Sequence, residues 1–263
     1  MNFFRDIFGP KYRVPIFIIG APRSGTTLLN LHLAQGKSHR YFPECNAISA
    51  LISTYGKTKY LDDSRLKAYF GSSEEAAEHY AKLVRLSIER LLRDEPKRQY
   101  VTLKDPYLTL DARNIFDIAP DAHVFIMYRP PHATVASTAR VTGAVDADVL
   151  IPFYKAMSSF ANKQRHNPRL HVVYYDRLVA DPMPRLEAIG RILGYDCSTV
   201  KQYPDDLRGS AFSTEKTFKP ITAAVTPSNI DMSLDAFSSQ VAYFDRMESW
   251  FDRKLLKATS IEQ

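Results

Sequence analysis

A short apolar run that leads straight into a glycine-containing loop constrains this chain more than any other feature. Residues 14–19 are apolar and rich in β-branched side chains, which is typical of a strand buried on both faces of a sheet. The loop 20–27 contains Gly20 and Gly25, and the leucine-rich stretch 28–33 predicts a helix directly after it. A strand, a tight loop and a helix in this order form an anion-binding turn, because successive backbone N–H groups and the positive end of the helix face the same point.

The rest of the chain alternates in the same way between short apolar runs and helical periodicity. Further strands are predicted at 100–103, 123–128 and 171–175, and helices at 73–93, 133–140, 182–193 and 237–251. Strands that alternate with helices predict an α/β fold, a three-layer sandwich in which helices flank a central parallel sheet. A turn is predicted at 176–180, and Asp181 and Pro182 are typical of the cap and the first position of the helix that follows.

Length and spacing predict a single domain over residues 1–263. Within it, 14–40 is the predicted anion-binding loop with its helix, whereas 41–72 fits the alternation poorly and is a predicted insertion beside the site. The stretch 203–235 is rich in Pro, Ser, Thr and Asp and has no sustained periodicity. Loops of that length in a compact domain usually serve as lids or binding segments, so we expect a lid there.

The amino-acid composition predicts a globular protein rather than a disordered or membrane-spanning one. Apolar residues make up 45% and charged residues 24%, which is ordinary for a globular chain with a buried core. The longest apolar runs, 16–19 and 124–127, are far shorter than the ~20 residues of a membrane-spanning helix, and the charged start of the chain does not resemble a signal peptide. Cys45 and Cys197 suit neither a disulfide framework nor a zinc site. We therefore expect a protein of the reducing cytosol without a transmembrane segment.

The net charge of +6, from 35 basic and 29 acidic residues, favours an anionic ligand. Charge alone leaves open nucleotides, sulfated or phosphorylated molecules, nucleic acid and an acidic membrane face. The basic residues are dispersed along the chain and form no block, so nucleic acid is not the expected partner.

The loop has the glycine spacing of a nucleoside-triphosphate site but lacks its cation. Gly20 and Gly25 match G-x-x-x-x-G-K-[ST], yet Thr26 occupies the lysine position. Without that lysine the β- and γ-phosphates of ATP lose their main cationic contact, whereas Arg23 offers a cation earlier in the loop. We therefore expect an anion other than a magnesium-bound triphosphate.

Several segments together resemble the sulfotransferases that use 3′-phosphoadenosine 5′-phosphosulfate (PAPS). Residues 22–28, PRSGTTL, resemble the 5′-phosphosulfate loop of that family. Residues 124–130, VFIMYRP, followed by Ser137, are similar to its 3′-phosphate segment. Residues 172–182, VVYYDRLVADP, resemble its strand, its Tyr-acid-x-Leu motif and its Asp-Pro helix start.

A fourth segment, Lys104-Asp105-Pro106, resembles the Lys-x-Pro segment of the bacterial, carbohydrate-type branch of the family. The resemblance covers roughly residues 14–195 and implies a P-loop-like three-layer sandwich. It also implies that PAPS is the donor, that 3′-phosphoadenosine 5′-phosphate (PAP) is a product, and that no metal takes part.

The resemblance assigns roles to individual residues. The residues expected to bind PAPS and PAP are Arg23, Ser24, Gly25, Thr26, Thr27, Arg129, Ser137 and Arg208. In this set the loop holds the 5′-phosphosulfate, Arg129 and Ser137 hold the 3′-phosphate, and Arg208 is the nearest counterpart of a late loop over that phosphate. Lys104 and Arg23 are expected to act in catalysis, because cations stabilise the charge that develops on the sulfuryl group and the leaving phosphate.

Glu44 is the predicted general base. It lies in residues 41–46, one helix after the phosphate loop, where the bacterial and heparan-type branches place a catalytic glutamate. His32 is the rival base, and His39 and His132 are weaker ones, because a lone histidine on an apolar helix face is more often a structural residue. Aromatic candidates for the acceptor pocket are Tyr41, Phe42, Tyr55 and Tyr60.

The sequence thus predicts a sulfotransferase that moves a sulfuryl group from PAPS to a hydroxyl of a carbohydrate, lipid or small metabolite. The stretch 41–72 is then the predicted insertion on the acceptor side. The expected partner of the protein is the molecule that carries the acceptor hydroxyl. One alternative is a P-loop kinase or NTPase, which Mg-dependent ATP turnover would favour. Another is a non-catalytic protein that binds a nucleotide or a sulfated glycan.

Overall fold

Five parallel strands form the sheet at the centre of the protein. The computed structural model describes residues 14–36, 39–93, 100–142, 148–197, 200 and 245–250. Within these residues the strand order is β2-β3-β1-β4-β5. The strands are β1 Ile16–Ile19, β2 His39–Arg40, β3 Tyr100–Lys104, β4 His123–Tyr128 and β5 Leu170–Tyr174.

Helices cover both faces of this sheet. They are α1 Thr26–Ala34, α2 Asn46–Thr58, α3 Asp63–Phe70, α4 Ser73–Leu92, α5 Ile115–Ile118, α6 Pro131–Thr142, α7 Ile151–Lys163, α8 Tyr175–Ala180 and α9 Pro182–Leu193. A 3₁₀ helix spans Tyr107–Asn114, and residues 245–250 are helical. No helix in these described ranges is long and apolar enough to cross a membrane.

The two faces of β1 enter two different cores. Phe17 and Ile19 pack into a core shared with α2, α4 and α7, whereas Ile16 and Ile18 pack against α1 and α9. All four side chains are fully buried. Full burial of one such side chain contributes about 1.5–3 kcal/mol, so a short strand is held firmly between two helical layers. This is the predicted three-layer sandwich.

Local signals set some of the helix boundaries. Ser72 precedes α4, and its Oγ accepts a hydrogen bond from the Glu75 backbone N–H at 3.1 Å. Pro182 occupies the first position of α9, as predicted, with Asp181 at the cap position. The Asp181 side chain does not cap the helix, and instead its carboxylate lies 3.5 Å from Arg185 Nη1.

The structure differs from the sequence prediction in several segments. The predicted turn at 176–180 is helix α8, and the poorly matching segment 41–72 contains α2 and α3. The sequence did not predict α7, the 3₁₀ helix or the two-residue strand β2. The predicted lid at 203–235 and the predicted ligand Arg208 lie outside the described residues.

The buried His171 of β5 and the half-buried His123 of β4 lie next to each other. His123 Nδ1 and His171 Nε2 lie 3.1 Å apart, and His171 also stacks on Phe125 with ring centroids 4.8 Å apart. Burial lowers the pKa of His123 to about 4 and the pKa of His171 to about 3. Both values lie below the ~6.5 of an unfolded histidine. The pair therefore leaves stability intact above about pH 6.5 and reduces it as the pH falls from there towards 3.

We predict that His171→Phe makes the protein less sensitive to acid. Each proton taken up only by the unfolded chain lowers the free energy of unfolding by ~1.4 kcal/mol per pH unit, and the variant has one such site fewer. Urea titrations between pH 7 and pH 4.5 should give a shallower fall for the variant than for the wild type. Burial also raises the pKa of Asp121 to about 6, which adds stability as the pH falls. This contribution is the same in the variant and the wild type.

The exposed His166 provides the matched control, since His166→Phe should leave the pH dependence of the wild type unchanged. If the free energy of unfolding fell equally with pH in His171→Phe and in the wild type, the His123–His171 pair would not be a cause of acid sensitivity.

Candidate active site

The carboxyl ends of the strands bring the predicted site residues to one edge of the sheet. Gly20 directly follows β1, Arg129 follows β4, and Tyr175 follows β5, while Lys104 is the last residue of β3. Lys104 pairs in register with Ile18 of β1. In parallel α/β sheets this edge is where ligands bind.

The phosphate loop is fastened to the 3₁₀ helix by Thr109. The Thr109 hydroxyl accepts a hydrogen bond from the Gly20 N–H and donates one to the Gly20 carbonyl, both at 2.9 Å. Within the loop, the Ser24 N–H donates to the Ala21 carbonyl at 3.0 Å. Thr109 is fully buried, and nothing in the sequence marked it as a residue that shapes the loop.

The loop turns sharply at two positions. Gly25 has φ +99°, and a Cβ built on it would lie 2.5 Å from Tyr175 Cδ2, so both the backbone and the neighbouring ring require glycine. Arg23 also adopts a positive φ, +68°, which is unusual for a residue with a side chain and is typical of functional loops.

Several groups of the loop are suited to bind an anion. Helix α1 begins at Thr26 without a side-chain cap, so an anion can accept hydrogen bonds from the N–H groups of its first turn. The Ser24 hydroxyl is buried and has no hydrogen-bond partner among the described residues. Thr26 is buried and Thr27 half-buried. An oxyanion in the loop would satisfy these donors.

Arg129 is held by contacts from three sides. Its Nη1 donates to the Arg23 carbonyl at 3.2 Å, and its guanidinium carbon lies 4.2 Å from the centre of the Tyr175 ring. The Tyr154 hydroxyl donates to the Arg129 carbonyl at 2.6 Å. Burial lowers the pKa of Arg129, so an anion beside it would favour the charged form.

Tyr175 therefore positions both the loop and Arg129, and Tyr154 positions the backbone of Arg129. Neither tyrosine had a role predicted from the sequence. The Tyr-acid-x-Leu motif marked Tyr175 as part of a family pattern, whereas Tyr154 lies in α7, a helix that was not predicted from the sequence.

Glu44 and Lys104 form an ion pair. Glu44 Oε1 lies 2.7 Å from Lys104 Nζ. The Lys104 side chain is only 3% exposed, whereas that of Glu44 is 35% exposed. The backbone reinforces this approach, because the Cys45 N–H donates to the Lys104 carbonyl at 3.1 Å. The predicted base and the predicted cation are thus in direct contact.

A buried asparagine fixes the segment that carries Glu44. Asn30 of α1 donates from Nδ2 to the Phe42 carbonyl at 2.8 Å, and its Oδ1 accepts from the Thr102 hydroxyl of β3. Asn30 is fully buried. It therefore links the helix after the phosphate loop, strand β3 and the segment before Glu44.

A cavity of about 450 Å³ opens on the other side of Glu44. Its lining consists of residues 42–48 together with Ser87, Arg90 and Leu91 of α4. Cys45 also faces this cavity, but burial raises the pKa of its thiol to about 12, which excludes it as a nucleophile near neutral pH. Glu44 thus touches Lys104 and also lines the cavity.

Ser137 and the three rival histidines belong neither to the Glu44–Lys104 ion pair nor to the cavity lining. Ser137 is half-buried on α6, and its hydroxyl makes no hydrogen bond to Arg129 in the described part of the chain. Of the rival bases, His32 and His39 are buried, and His132 Nε2 lies 3.1 Å from Asp245 Oδ1. None of these histidines lines the cavity.

Of the four aromatic candidates for the acceptor pocket, Phe42 lines the cavity. Tyr55 instead belongs to the core, and Tyr60 is largely exposed to solvent. Tyr41 is half-buried and does not line the cavity. The described ranges contain no group of three or more His, Cys, Asp or Glu side chains arranged to hold a metal ion.

The chain is similar to known sulfotransferases in sequence and in fold. A model of the sulfotransferase family matches residues 15–199. Protein-tyrosine sulfotransferase 2 of Gallus gallus is 26% identical over 231 residues, which cover 78% of this chain and 60% of that protein. The chain thus spans 60% of the length of this curated relative.

Solved sulfotransferase domains share the fold. The sulfotransferase domain of the Synechococcus PCC 7002 olefin synthase has a TM-score of 0.59 at 19% identity, with 94% of this chain and 98% of that domain covered. The sulfotransferase domain of the curacin biosynthetic pathway has a TM-score of 0.58 at 16% identity, with 92% and 99% covered. At these identities the likeness shows the fold, and it confirms the predicted fold class.

We predict that the Glu44–Lys104 pair contributes more to stability than a surface ion pair. A double-mutant cycle with Glu44→Ala and Lys104→Met should give a coupling free energy of about 1.5–3 kcal/mol, because the ammonium is buried and hydrogen-bonded to a carboxylate. Chemical denaturation of the four proteins measures it.

Lys59 and Asp117 supply the control cycle, since their 2.8 Å pair has side chains 26% and 40% exposed. A coupling of about 0.2–1 kcal/mol is expected there. If both cycles gave the same value, the burial of Lys104 would not strengthen its pair with Glu44.

Proposed function

Because the chain belongs to the sulfotransferase family, we propose that it transfers a sulfuryl group from PAPS to an acceptor hydroxyl and releases PAP. The match over residues 15–199 establishes the family and confirms the resemblance at the level of the family, whereas the carbohydrate-type branch stays a prediction. One observation carries the proposal further. Glu44 contacts Lys104 at the sheet edge and also lines the cavity, so a base adjoins both the donor edge and a space for an acceptor.

The phosphate loop is the proposed site of the 5′-phosphosulfate. The buried Ser24 hydroxyl and the uncapped start of α1 offer hydrogen-bond donors that suit a phosphate or a sulfuryl oxygen. Arg23 adds a permanent positive charge for the leaving phosphate, and as an arginine it acts electrostatically rather than as an acid.

Arg129 is the proposed partner of the 3′-phosphate. Its guanidinium can form a two-pronged hydrogen bond with a phosphate, and its contacts with Tyr175 and Arg23 keep it in place beside the loop. Ser137 and Arg208 are proposed to add further contacts to the same phosphate.

Glu44 is the proposed general base. One carboxylate oxygen, Oε1, accepts from Lys104, which leaves Oε2 for the acceptor hydroxyl. In the reaction, the sulfur–oxygen bond to the 5′-phosphate breaks, a sulfur–oxygen bond to the acceptor forms, and the acceptor proton passes to Glu44. Lys104 can stabilise negative charge on the sulfuryl oxygens, because an ammonium has three donors and Glu44 occupies only one.

The proposed acceptor is an oxygen nucleophile on a carbohydrate, lipid or small metabolite. A carboxylate base suits a hydroxyl, whose proton must leave as the new bond forms. The Gallus gallus relative is named for tyrosine, which also offers a hydroxyl. We further propose that the protein works in the cytosol, on the basis of its two free cysteines.

The alternatives to this function were a kinase, which the family match disfavours, and a non-catalytic binder. Thr26 at the lysine position of the loop argues against a kinase, because the β- and γ-phosphates of ATP would lack their usual cation. Tight PAP binding without transfer to any alcohol, phenol or sugar would favour the non-catalytic protein.

We predict that the metal-free protein binds PAP tightly and binds AMP and magnesium-bound ATP much more weakly. Arg129→Ala should weaken PAP binding roughly 10- to 150-fold, since it removes charge-assisted hydrogen bonds worth ~1.5–3 kcal/mol. Isothermal titration calorimetry measures each affinity.

Arg65→Ala is the control, because the exposed Arg65 pairs only with Asp62 on the surface and its loss should leave PAP binding unchanged. A preference for magnesium-bound ATP, or equal affinity for PAP and AMP, would refute the proposed donor.

We also predict that Glu44→Gln slows transfer by roughly 10²–10⁴-fold while PAP binding stays unchanged. Glutamine keeps the shape of the side chain and can still accept from Lys104, but it cannot take the acceptor proton. PAP release from PAPS, followed with a panel of alcohols, phenols and sugars, measures the rate. Glu187→Gln, on the exposed side of α9, should retain full activity, and a fully active Glu44→Gln would remove Glu44 as the base.

A further inference from the structure

The cavity beside Glu44 combines an apolar lining with one cationic side chain. Phe42, Pro43, Ile48 and Leu91 supply apolar surface. Arg90, on the last turn of α4, supplies a guanidinium. A volume of about 450 Å³ lies within the range of small-molecule sites. The lining therefore suits a ligand with an apolar body.

The charges of the lining do not cancel within the cavity. Among the described residues of the lining, Glu44 is the only carboxylate, and its charge is matched by Lys104, with which it forms the 2.7 Å ion pair. Arg90 makes no ion pair with a carboxylate in the part of the chain that the structure describes. The cavity therefore presents a net positive charge at Arg90.

We propose that this cavity selects acceptors that carry an acidic group as well as the hydroxyl, and that Arg90 pairs with that group. The inference rests on the proposed function and narrows its substrate class to small hydroxy acids with an apolar body. In this arrangement the hydroxyl faces Glu44, the body contacts Phe42 and Leu91, and the acidic group contacts the guanidinium of Arg90.

Arginine suits this role because its planar fork matches a carboxylate with two parallel hydrogen bonds. Arg90 is exposed, so a neutral acceptor of the same shape would leave its guanidinium in water and would not gain this contact. The acid should therefore bind about two- to fivefold more tightly than its ester, a difference that a solvent-exposed ion pair can supply.

The test compares 12-hydroxydodecanoate with its methyl ester on the PAP-loaded protein. The two probes share the hydroxyl and the apolar chain and differ in the charge at the far end. Calorimetric titration should show tighter binding of the acid to the wild type. In Arg90→Gln the acid should bind no better than the ester. Arg191→Gln removes the same charge from the exposed face of α9 and should keep the preference of the wild type.

A second variant tests whether the cavity is the binding site at all. Ser87 lines the cavity from α4, and its hydroxyl donates only to the Leu83 carbonyl of its own helix at 2.9 Å. Ser87→Phe should fill the cavity and abolish binding of both probes without changing the affinity for PAP.

Three results would overturn the inference. These are equal affinities of the acid and the ester, a preference for the acid that persists in Arg90→Gln, and a wild-type protein that binds PAP but neither probe. Binding of both probes to Ser87→Phe would be a fourth such result, because it would place the acceptor outside the cavity. If the wild type failed to bind PAP, the proposed function would fail first, so the two failures are distinguishable.

Discussion

The parallel pairing of β1 with β3 on one side and β4 on the other is the constraint on which the rest of the site depends. Because all these strands run in the same direction, their carboxyl ends lie at one edge of the sheet. Gly20, Lys104 and Arg129 are distant in sequence but meet at that edge. Burial of β1 between two cores stabilises this pairing, and the pairing in turn holds these groups at one edge of the sheet.

The phosphate loop keeps its unusual backbone because its neighbours leave it no alternative. A Cβ on Gly25 would lie 2.5 Å from Tyr175 Cδ2, and the guanidinium carbon of Arg129 lies 4.2 Å from the centre of the same ring. Arg129 in turn donates to the carbonyl of Arg23, the residue with φ +68°. One tyrosine thus supports both proposed phosphate contacts, and the cost of the strained loop is offset by packing outside it.

The sequence predicted the parts of the fold that have a strong local pattern. Strands β1, β3, β4 and β5 were placed within about two residues, because a buried parallel strand is an unbroken apolar run, whereas the two-residue β2 was missed. Helix α8 and the 3₁₀ helix were missed, since six residues or an i→i+3 turn leave no helical periodicity. Thr109 could not be found from the sequence, because its role arises only where the 3₁₀ helix packs against Gly20. The cavity could not be predicted from the sequence for the same reason. Residues 42–48 and the end of α4 form its lining because α2 packs against α4.

The ion pair between Glu44 and Lys104 couples proton uptake by Glu44 to charge stabilisation by Lys104 in the proposed reaction. While Glu44 is charged, it holds one of the three protons of the ammonium and keeps Lys104 directed towards it. As Glu44 takes the proton of the acceptor, its charge disappears and its hydrogen bond with Lys104 weakens, because hydrogen bonds to charged groups are stronger than those to neutral ones. The ammonium is then freer to stabilise negative charge at the sulfuryl group, and this occurs at the moment when that charge develops. Burial of Lys104 strengthens the coupling, since charges interact more strongly away from water.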